Sequence, residues 1–286
     1  MARMATADRR LHTALSELPV TASGRRLLGD GAPWFEGWLE HLELSDPFWA
    51  PLNCEAALDR VTVPTLLVGG WQDLFIEQTL EQYRRLAGRG VPARLLVGPW
   101  AHLDLGTKGG AVMSLRAGTR DNRIVERRSD VLTFSSEPLA QPVDIIGEVT
   151  AELSVTRNNP HADLFVRLCD VDPRGRSRNV CDGIVRVTGA DPPSGTTAVS
   201  LLGVAHRFRH GHRIRLQVSG GAHPRFARNP GTGQVDASPA ELTPTDYRIG
   251  VLGESAVALP VVAAAGEPVS AGPLARSTAP TAPGPA

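Results

Sequence analysis

Hydrophobic positions along residues 61–105 follow a strand–helix–strand pattern. Two continuous apolar runs, Val63–Gly70 and Ala93–Gly98, each end in glycine. Between them, one helical face is formed by apolar residues at positions i, i+4, i+7 and i+10, namely Ile76, Leu80, Tyr83 and Leu86. Continuous apolar runs are typical of parallel strands buried on both faces. The pattern therefore predicts a right-handed βαβ unit in an α/β layer.

Beyond residue 128 the pattern changes to the alternation that half-buried strands show. Apolar residues alternate with polar or small ones in Val149–Val155, Leu164–Leu168 and Ile214–Val218. Turn-forming runs such as Asn158–Pro160 and Asn229–Gly231 separate these segments. Short, regularly spaced strands separated by such turns predict an all-β domain, a β-sandwich or jelly roll, over residues 129–262.

The two ends of the chain differ in amino-acid composition. Residues 1–45 are polar and favour helix, with an aromatic and apolar stripe that we interpret as core: Trp34, Phe35, Trp38, Leu39 and Leu42. Ser45–Trp49 ends this helix with turn-forming residues. After Val262 the chain consists mainly of Ala, Pro, Gly and Ser, so residues 263–286 are expected to be disordered. The chain thus divides into residues 1–45, 46–128, 129–262 and 263–286.

Composition narrows the classes of partner. The 30 Lys and Arg residues balance 30 Asp and Glu, which argues against nucleic acid or an anionic membrane as a partner. No apolar stretch is long enough to cross a bilayer, and residues 1–6 lack the apolar core of a signal peptide, so we expect a cytoplasmic protein. Three cysteines cannot form a disulfide framework. Cys169 and Cys181 flank a predicted hairpin, and we interpret them as free thiols.

One ionisable residue follows each predicted parallel strand. Asp73 and His102 would lie at the edge where open α/β sheets place their chemistry. In this order they match the second half of a Ser–Asp–His triad, in which the carboxylate holds the imidazole and the imidazole accepts the nucleophile's proton. The alternatives are a helix cap for Asp73 and a partly buried, hydrogen-bonded His102. Their matched positions favour the catalytic pair, although no Gly-x-Ser-x-Gly nucleophile elbow occurs in the 286 residues.

Two tryptophans lie near these residues. Trp71 and Trp100 each come two residues before Asp73 and His102. They are candidates for the wall of an acyl pocket, and filler beside the sheet edge is the equally favoured alternative.

The remaining motifs do not support a cofactor. His206, His210 and His212 are interleaved with arginines, which oppose a metal ion, so we expect no metal site. The same arginine-rich stretch has Phe208 as its one aromatic residue, which is a poor nucleic-acid signal. Gly106–Gly110 lacks the spacing of a phosphate-binding loop.

Taken in order, several motifs resemble the cocaine esterase and X-prolyl dipeptidyl-peptidase family, the CocE/NonD-type hydrolases. The resemblance covers roughly residues 30 to 262. Its motifs are the aromatic helix, Ser45–Trp49, Gly70–Asp73, Gly98–His102, the hairpin Ala162–Ser177, Asp182–Arg186, Gly211–Ser219 and Pro224–Gly233.

The resemblance implies an α/β-hydrolase with a helical cap and a C-terminal jelly roll, which cleaves small esters or amides through a serine. It implies that Asp73 is the triad acid and His102 the general base. The family's nucleophile elbow and oxyanion hole precede the cap. We therefore expect a partial hydrolase layer, with a cap remnant and the last two strands of the sheet, cut short before its nucleophile and inactive alone.

Other interpretations remain open for the function. The chain is expected to self-associate or to need a complementary N-terminal fragment, because its first parallel strand would lack a sheet neighbour. The alternatives are a non-catalytic β-sandwich binding module and a scaffold that completes another subunit.

Overall fold

The computed structural model describes residues 10–11, 13–101, 118–189, 194–234, 240–250, 253–262 and 275–276. Two helices precede the first strand, α1 (Val20–Leu28) and α2 (Trp34–Glu40), and a 3₁₀ turn at Gly29–Gly31 joins them. They approach closely at Gly24, where a Cβ atom would lie 2.1 Å from the ring of Phe35. Glycine at this position therefore lets the aromatic ring pack against the backbone of α1.

The aromatic stripe of α2 is not a buried core. Trp34 is 49% exposed and Trp38 is 45% exposed, which corrects the interpretation of this stripe as core. Their rings pack on each other with centroids 4.4 Å apart, and Trp38 also contacts Trp49. Trp49 follows from a 3₁₀ helix at Pro47–Leu52. The rings stay exposed because, in the described part of the chain, they pack mainly on one another.

The aromatic helix ends at Glu40, earlier than the predicted break at Ser45–Trp49, and Asp46 instead begins the next helix. The side chain of Asp46 accepts a hydrogen bond from the backbone N–H of Phe48 at 2.8 Å, which caps the 3₁₀ helix. The short helix α3 (Glu55–Leu58) leads into the first strand.

The predicted strand–helix–strand unit is confirmed. Strand β1 (Thr65–Gln72) pairs in parallel with β2 (Ala93–Ala101), and helix α4 (Ile76–Gly88) connects them. Ile76 and Leu86 on the predicted apolar face of α4 are almost fully buried.

Burial of this small sheet on both faces, however, is a wrong prediction. Leu66 is 64% exposed and Leu96 is 52% exposed, and Val68 lies beside Leu96 on the same face. The helix α4 packs on the other face, where Thr79 touches Gly69. One face remains open because no second layer covers it within the described residues, where β1 and β2 form a two-stranded sheet.

The second half of the described chain forms two antiparallel sheets. In the first sheet, β4 (Val143–Arg157) pairs with β7 (Ser194–Phe208) on one side, and with β9 (Tyr247–Ile249) and β10 (Ala256–Ala258). The second sheet has the order β11–β3–β8–β5–β6. Its strands are β3 (Val131–Ser135), β5 (Ala162–Val171), β6 (Ser177–Val187), β8 (Arg213–Ser219) and the two-residue β11 (Ala275–Arg276).

The predicted alternating strands form the hydrophobic core shared by the two sheets. Val149 and Ala151 of β4 are fully buried, and Val166 and Leu168 of β5 are as well. The alternation arises because successive side chains of a strand point to opposite faces. A β-rich C-terminal domain is therefore confirmed, whereas the jelly-roll order of its strands stays a prediction.

Polar side chains fix the segment 118–130 to the outer face of the second sheet. Glu126, which follows the start of a 3₁₀ helix at Val125–Arg127, accepts hydrogen bonds from Arg215 at 2.7 Å and from Gln217 at 2.6 Å. Ser177 donates a further hydrogen bond to the same carboxylate. Because the Glu126–Arg215 pair is largely buried, removal of one partner would leave an uncompensated charge.

The cysteines Cys169 and Cys181 are free thiols, as predicted. They do not face each other in the hairpin, because a β-bulge pairs Cys181 with Leu168 and Cys169 with Asn179. Burial raises the pKa of the Cys169 thiol to about 12 and raises the pKa of Cys181 as well. Both thiols are therefore in the neutral, unreactive form near pH 7.

Two further predictions concern the C-terminal tail and membrane-spanning segments. Of the predicted tail 263–286, the structure describes Ala275 and Arg276, which pair with β3, and the other residues lie outside the described ranges. None of the helices in the described ranges is long and apolar enough to cross a membrane.

Candidate functional site

Asp73 lies directly after β1, in the turn that leads into α4. Its Oδ1 atom accepts a hydrogen bond from the backbone N–H of Phe75 at 2.8 Å, and its own N–H donates to the carbonyl of Gly70. The carboxylate thus shapes the start of the helix, as the capping alternative proposes. The residue remains only half-buried.

The backbone register brings the position that precedes Asp73 beside the position that precedes His102. Gln72 is paired with Ala101 across the two parallel strands, after an irregularity between Gly70 and Gln72. His102 itself lies outside the described residues. Asp73 therefore follows Gln72, and His102 follows Ala101, so each comes directly after one residue of this pair at the carboxyl edge of the sheet.

Glycine makes the close approach of the two strands possible at this edge. A Cβ atom on Gly70 would lie 2.1 Å from the carbonyl oxygen of Trp100, which no packing adjustment of a side chain would relieve. The indole of Trp100 folds back over Gly98, where a Cβ would lie 2.3 Å from its ring. The glycine that ends each apolar run thus has a steric role beside the candidate site.

The two candidate pocket tryptophans lie in different surroundings. Trp71 approaches Gly203 of β7, as does Leu80 of α4, so it lies where the α/β unit meets the β-rich domain. Trp100 covers Gly98 within its own strand. Both indoles are half-buried. Their role in an acyl pocket stays a prediction.

A second cluster of ionisable residues lies in the β-rich domain. Asp170, at the end of β5, accepts hydrogen bonds from His206 Nε2 at 3.0 Å and from His212 Nδ1 at 2.7 Å. Burial raises the pKa of Asp170, but the hydrogen bonds from the two imidazoles outweigh burial, so this pKa lies below its ordinary value of 3.8. Asp170 is consequently an ionised group that orients both histidines.

This cluster borders a cavity of about 540 Å³, here called the arginine cavity. Its basic lining consists of Arg174, Arg176, Arg178, Arg207 and Arg209. Gln72 of β1 also lines it, and its side-chain amide donates to the carbonyl of Val180 at 3.1 Å. The cavity is therefore bounded mainly by the β-rich domain and closed on one side by the α/β unit.

The sequence singles out the histidines but not their partner. His206 and His212 are close neighbours in the chain, whereas Asp170 lies 36 positions before His206, and no local spacing joins them. His210 is not among the groups that hydrogen-bond to Asp170 in the described structure. Among the described residues, no group of three or more His, Cys, Asp or Glu side chains is placed to hold a metal ion.

Comparisons with known proteins support the resemblance. Residues 104–250, just over half of the 286, match the model of the X-Pro dipeptidyl-peptidase C-terminal non-catalytic domain. Residues 2–104 match the model of X-Pro dipeptidyl-peptidase of the S15 family. The boundary between the two models falls at residue 104, between the small parallel sheet and the β-rich domain.

Individual relatives agree with these models. The chain is 37% identical over 130 residues to the cocaine esterase of Rhodococcus sp. (strain MB1 Bresler), a match that covers 42% of this chain and 23% of that protein. A solved alpha-amino acid ester hydrolase superposes with a TM-score of 0.70 at 18% identity, covering 87% of this chain and 63% of that one. An aminopeptidase from a Thaumarchaeota archaeon gives 0.71 at 18% identity, covering 90% and 64%. At this identity the two structures establish the fold, and the chain spans under two thirds of each.

Proposed function

We propose that this chain carries the acid and the base of a serine hydrolase site in residues 2–104, which match X-Pro dipeptidyl-peptidase of the S15 family. Over residues 104–250 the chain belongs to the family of the X-Pro dipeptidyl-peptidase C-terminal non-catalytic domain. In this proposal Asp73 is the triad acid and His102 is the general base. The observation that supports it is the pairing of Gln72 with Ala101, because each candidate residue follows one member of that pair. The S15 match over residues 2–104 includes both positions.

The chemistry requires the two side chains to form one unit. The Asp73 carboxylate would accept a hydrogen bond from Nδ1–H of His102, which leaves Nε2 free to take a proton from a nucleophile. A carboxylate has two oxygens and about four acceptor positions, so the hydrogen bond from the N–H of Phe75 to Oδ1 does not exclude a second donor. The helix cap and the triad acid are therefore compatible roles for Asp73.

We propose an ester or amide as the substrate class, with the serine supplied from outside these residues. The support is the names of the relatives, a cocaine esterase and an alpha-amino acid ester hydrolase. No Gly-x-Ser-x-Gly motif occurs in the sequence, so this chain alone would lack its nucleophile. We also propose the jelly-roll order for the two antiparallel sheets.

The histidine tautomer tests the Asp73–His102 pair without any turnover. We expect ¹⁵N NMR to show His102 protonated at Nδ1 in the wild-type chain. Asp73→Asn should switch the tautomer, because an amide nitrogen donates where the carboxylate accepts. This variant retains an oxygen that can accept from the Phe75 N–H, so the turn into α4 is preserved. An unchanged tautomer in Asp73→Asn would show that the two side chains are not paired.

A hydrolysis assay tests whether the chain is inactive alone. We expect no specific turnover of activated acyl esters by the pure 286-residue chain, with or without a serine-directed inhibitor. Loss of the serine in a serine protease costs a factor of about 10⁶ in turnover, and loss of one oxyanion donor costs roughly 10²–10³. Ester turnover that His102→Ala abolishes would contradict this expectation.

A second candidate function is a binding role for the β-rich domain. The matching family model describes its members' domain as non-catalytic, and this part of the chain holds the arginine cavity. The two functions are compatible in one protein, since the first concerns the edge of the parallel sheet and the second the β-rich domain.

A further inference from the structure

The arginine cavity concentrates positive charge in a protein whose overall formal charge is zero. Five guanidinium groups line it, against the two carboxylates of Asp170 and Asp172. This local excess is unusual for a neutral chain, because like charges placed together repel one another unless a counter-charge is present.

Internal ion pairs account for only part of that excess. Arg176 pairs with Asp172 at 2.6 Å, and Arg207 pairs with Asp144 at 2.5 Å. Within the ranges that the structure describes, Arg174, Arg178 and Arg209 make no salt bridge. Three guanidinium groups thus face the cavity or its rim with their side-chain donors available.

Among the described residues, Asp170 forms its ion pairs with histidines and makes no salt bridge to these three arginines. Both of its oxygens are engaged by imidazoles, Oδ2 by His206 and Oδ1 by His212. The carboxylate is 13% exposed and borders the cavity together with the two imidazoles. The hydrogen-bond donors offered to a ligand would accordingly be the guanidinium groups of these arginines.

The surrounding backbone holds these donors in place. Arg178 lies on β6 directly opposite Asp170 of β5, and its backbone forms a bridge with Asp121. The turn that carries Arg174 is fixed by Asp172, whose Oδ1 atom accepts from the backbone N–H groups of Arg174 and Arg176. Arg209 follows β7 in the tight turn before His212. Three separate elements therefore bring the donors to one cavity.

We propose that the arginine cavity is a binding site for a small oxyanion-bearing molecule, a carboxylate or a phosphate. Guanidinium groups present planar pairs of N–H donors that match the two oxygens of such an anion. A volume of about 540 Å³ lies within the ~300–1,000 Å³ typical of small-molecule pockets. This inference does not depend on the proposed hydrolase function, because none of its residues belongs to the Asp73–His102 pair.

Calorimetric titration of the full chain tests the proposal. The probes are inorganic phosphate and succinate, each titrated at constant ionic strength so that screening is held fixed. We expect saturable binding of at least one probe with a Kd of about 1 mM or below. The two arms distinguish the sources: preference for phosphate identifies a phosphate site, and preference for succinate a carboxylate site.

Paired variants locate the binding. Arg178→Gln combined with Arg209→Gln should weaken binding by about tenfold or more, because two charge-assisted contacts are lost. Arg127→Gln is the matched control, since Arg127 is an exposed arginine of the segment 118–130 that does not line the cavity. The control should leave affinity unchanged. Equal weakening by both would show a non-specific charge effect and overturn the proposal.

A chemical measurement on the wild-type chain does not depend on how the variants fold. Phenylglyoxal modifies accessible arginines, and peptide mass spectrometry reports the extent of modification at each position. The bound anion should protect Arg178 and Arg209 but not Arg127. Absence of saturable binding by both probes, or uniform modification with and without the anion, would overturn the proposal.

Discussion

Asp170 of one sheet is hydrogen-bonded to two histidines, one at the end of a strand of the other sheet and one in the turn that follows that strand. It belongs to β5, whereas His206 belongs to β7 and His212 precedes β8, and the carboxylate holds both imidazoles within hydrogen-bond distance. Because the hydrogen bonds outweigh burial, the pKa of Asp170 lies below 3.8, which is its ordinary value. Ionised Asp170 therefore stabilises the folded chain more than it stabilises the unfolded one.

This residue yields a prediction about acid stability. A carboxyl group whose folded-state pKa is depressed contributes stability that is fully present above its unfolded value, near 3.8, and is lost as the pH falls through the folded-state pKa. Asp170→Asn should lower the free energy of unfolding by ~1.5–3 kcal/mol near pH 7, the range for hydrogen bonds to a charged group. The difference between the two proteins should close as the pH drops below 3.8.

Thermal unfolding followed by circular dichroism from pH 7 down to pH ~2 measures this difference. Asp130→Asn is the matched control, because Asp130 pairs with Arg128 at the surface, where both side chains are more than half exposed. Surface pairs contribute little to stability, ~0–1 kcal/mol. If the difference in unfolding free energy between Asp170→Asn and the wild type stays constant as the pH falls to ~2, the charge of the Asp170 carboxylate is not what stabilises the protein.

At the level of single residues, the sequence reveals candidates but not their partners. The position of Asp73 after an apolar run predicts its place at the sheet edge, since strand ends are encoded locally. The pairing of Asp170 with His206 depends on how two sheets pack, which no local pattern contains. The same holds for the arginines, because Arg178 of β6 and Arg209 after β7 are brought to one cavity only by the fold.

At the level of elements, the spacing of apolar residues is enough to predict a helix or strand wherever one face of that element is buried. Helix α4 keeps its predicted helical periodicity, and strands β4 and β8 keep the predicted alternation, because one face of each packs against other elements of this chain. Strand β5 differs, because its side chains are buried on both faces. The open face of the β1–β2 sheet could not be predicted in this way. A continuous apolar run indicates that both faces can be buried, not that the described chain supplies both layers.

The meeting of the two sheets at their edges yields a second prediction. A Cβ atom on Gly183 of β6 would lie 1.8 Å from the carbonyl oxygen of Ser200 on β7, so the two backbones are in direct contact there. Gly183→Ala should force the strands apart and destabilise the protein by ~1–3 kcal/mol, as overpacking of a core does. For a protein of this size, each ~1 kcal/mol lowers the melting temperature by ~2–4 °C.

Gly88→Ala provides the comparison for this substitution. Gly88 ends helix α4, and a Cβ atom added there would have nothing within 4 Å, so alanine should be neutral or slightly stabilising. Calorimetric melting temperatures of both variants decide the matter. If Gly183→Ala melts with the wild type, the contact between β6 and β7 is looser than the structure shows.

For the whole molecule, the open sheet face governs how the isolated chain behaves. Leu66, Val68 and Leu96 lie side by side on a two-stranded sheet whose other face is packed by α4. Burial of one such side chain stabilises a contact by ~1.5–3 kcal/mol. The edge of β1 also presents backbone groups that pair with no strand in the described residues. We therefore predict that the pure chain self-associates through this face, with a second copy as the occupant.

Substitution on the face separates this mode of association from others. Leu66→Lys combined with Leu96→Lys should shift the sedimentation coefficient toward the monomer, because lysine on an exposed strand face opposes pairing with another copy. Ile124→Lys is the matched control: Ile124 is 80% exposed but lies in the segment before the β-rich domain, and its replacement should leave association unchanged. A wild-type chain that sediments as a monomer at all concentrations would contradict the prediction. If the double variant still self-associates, the contact between copies does not involve Leu66 and Leu96. The open face of the β1–β2 sheet would then remain in water.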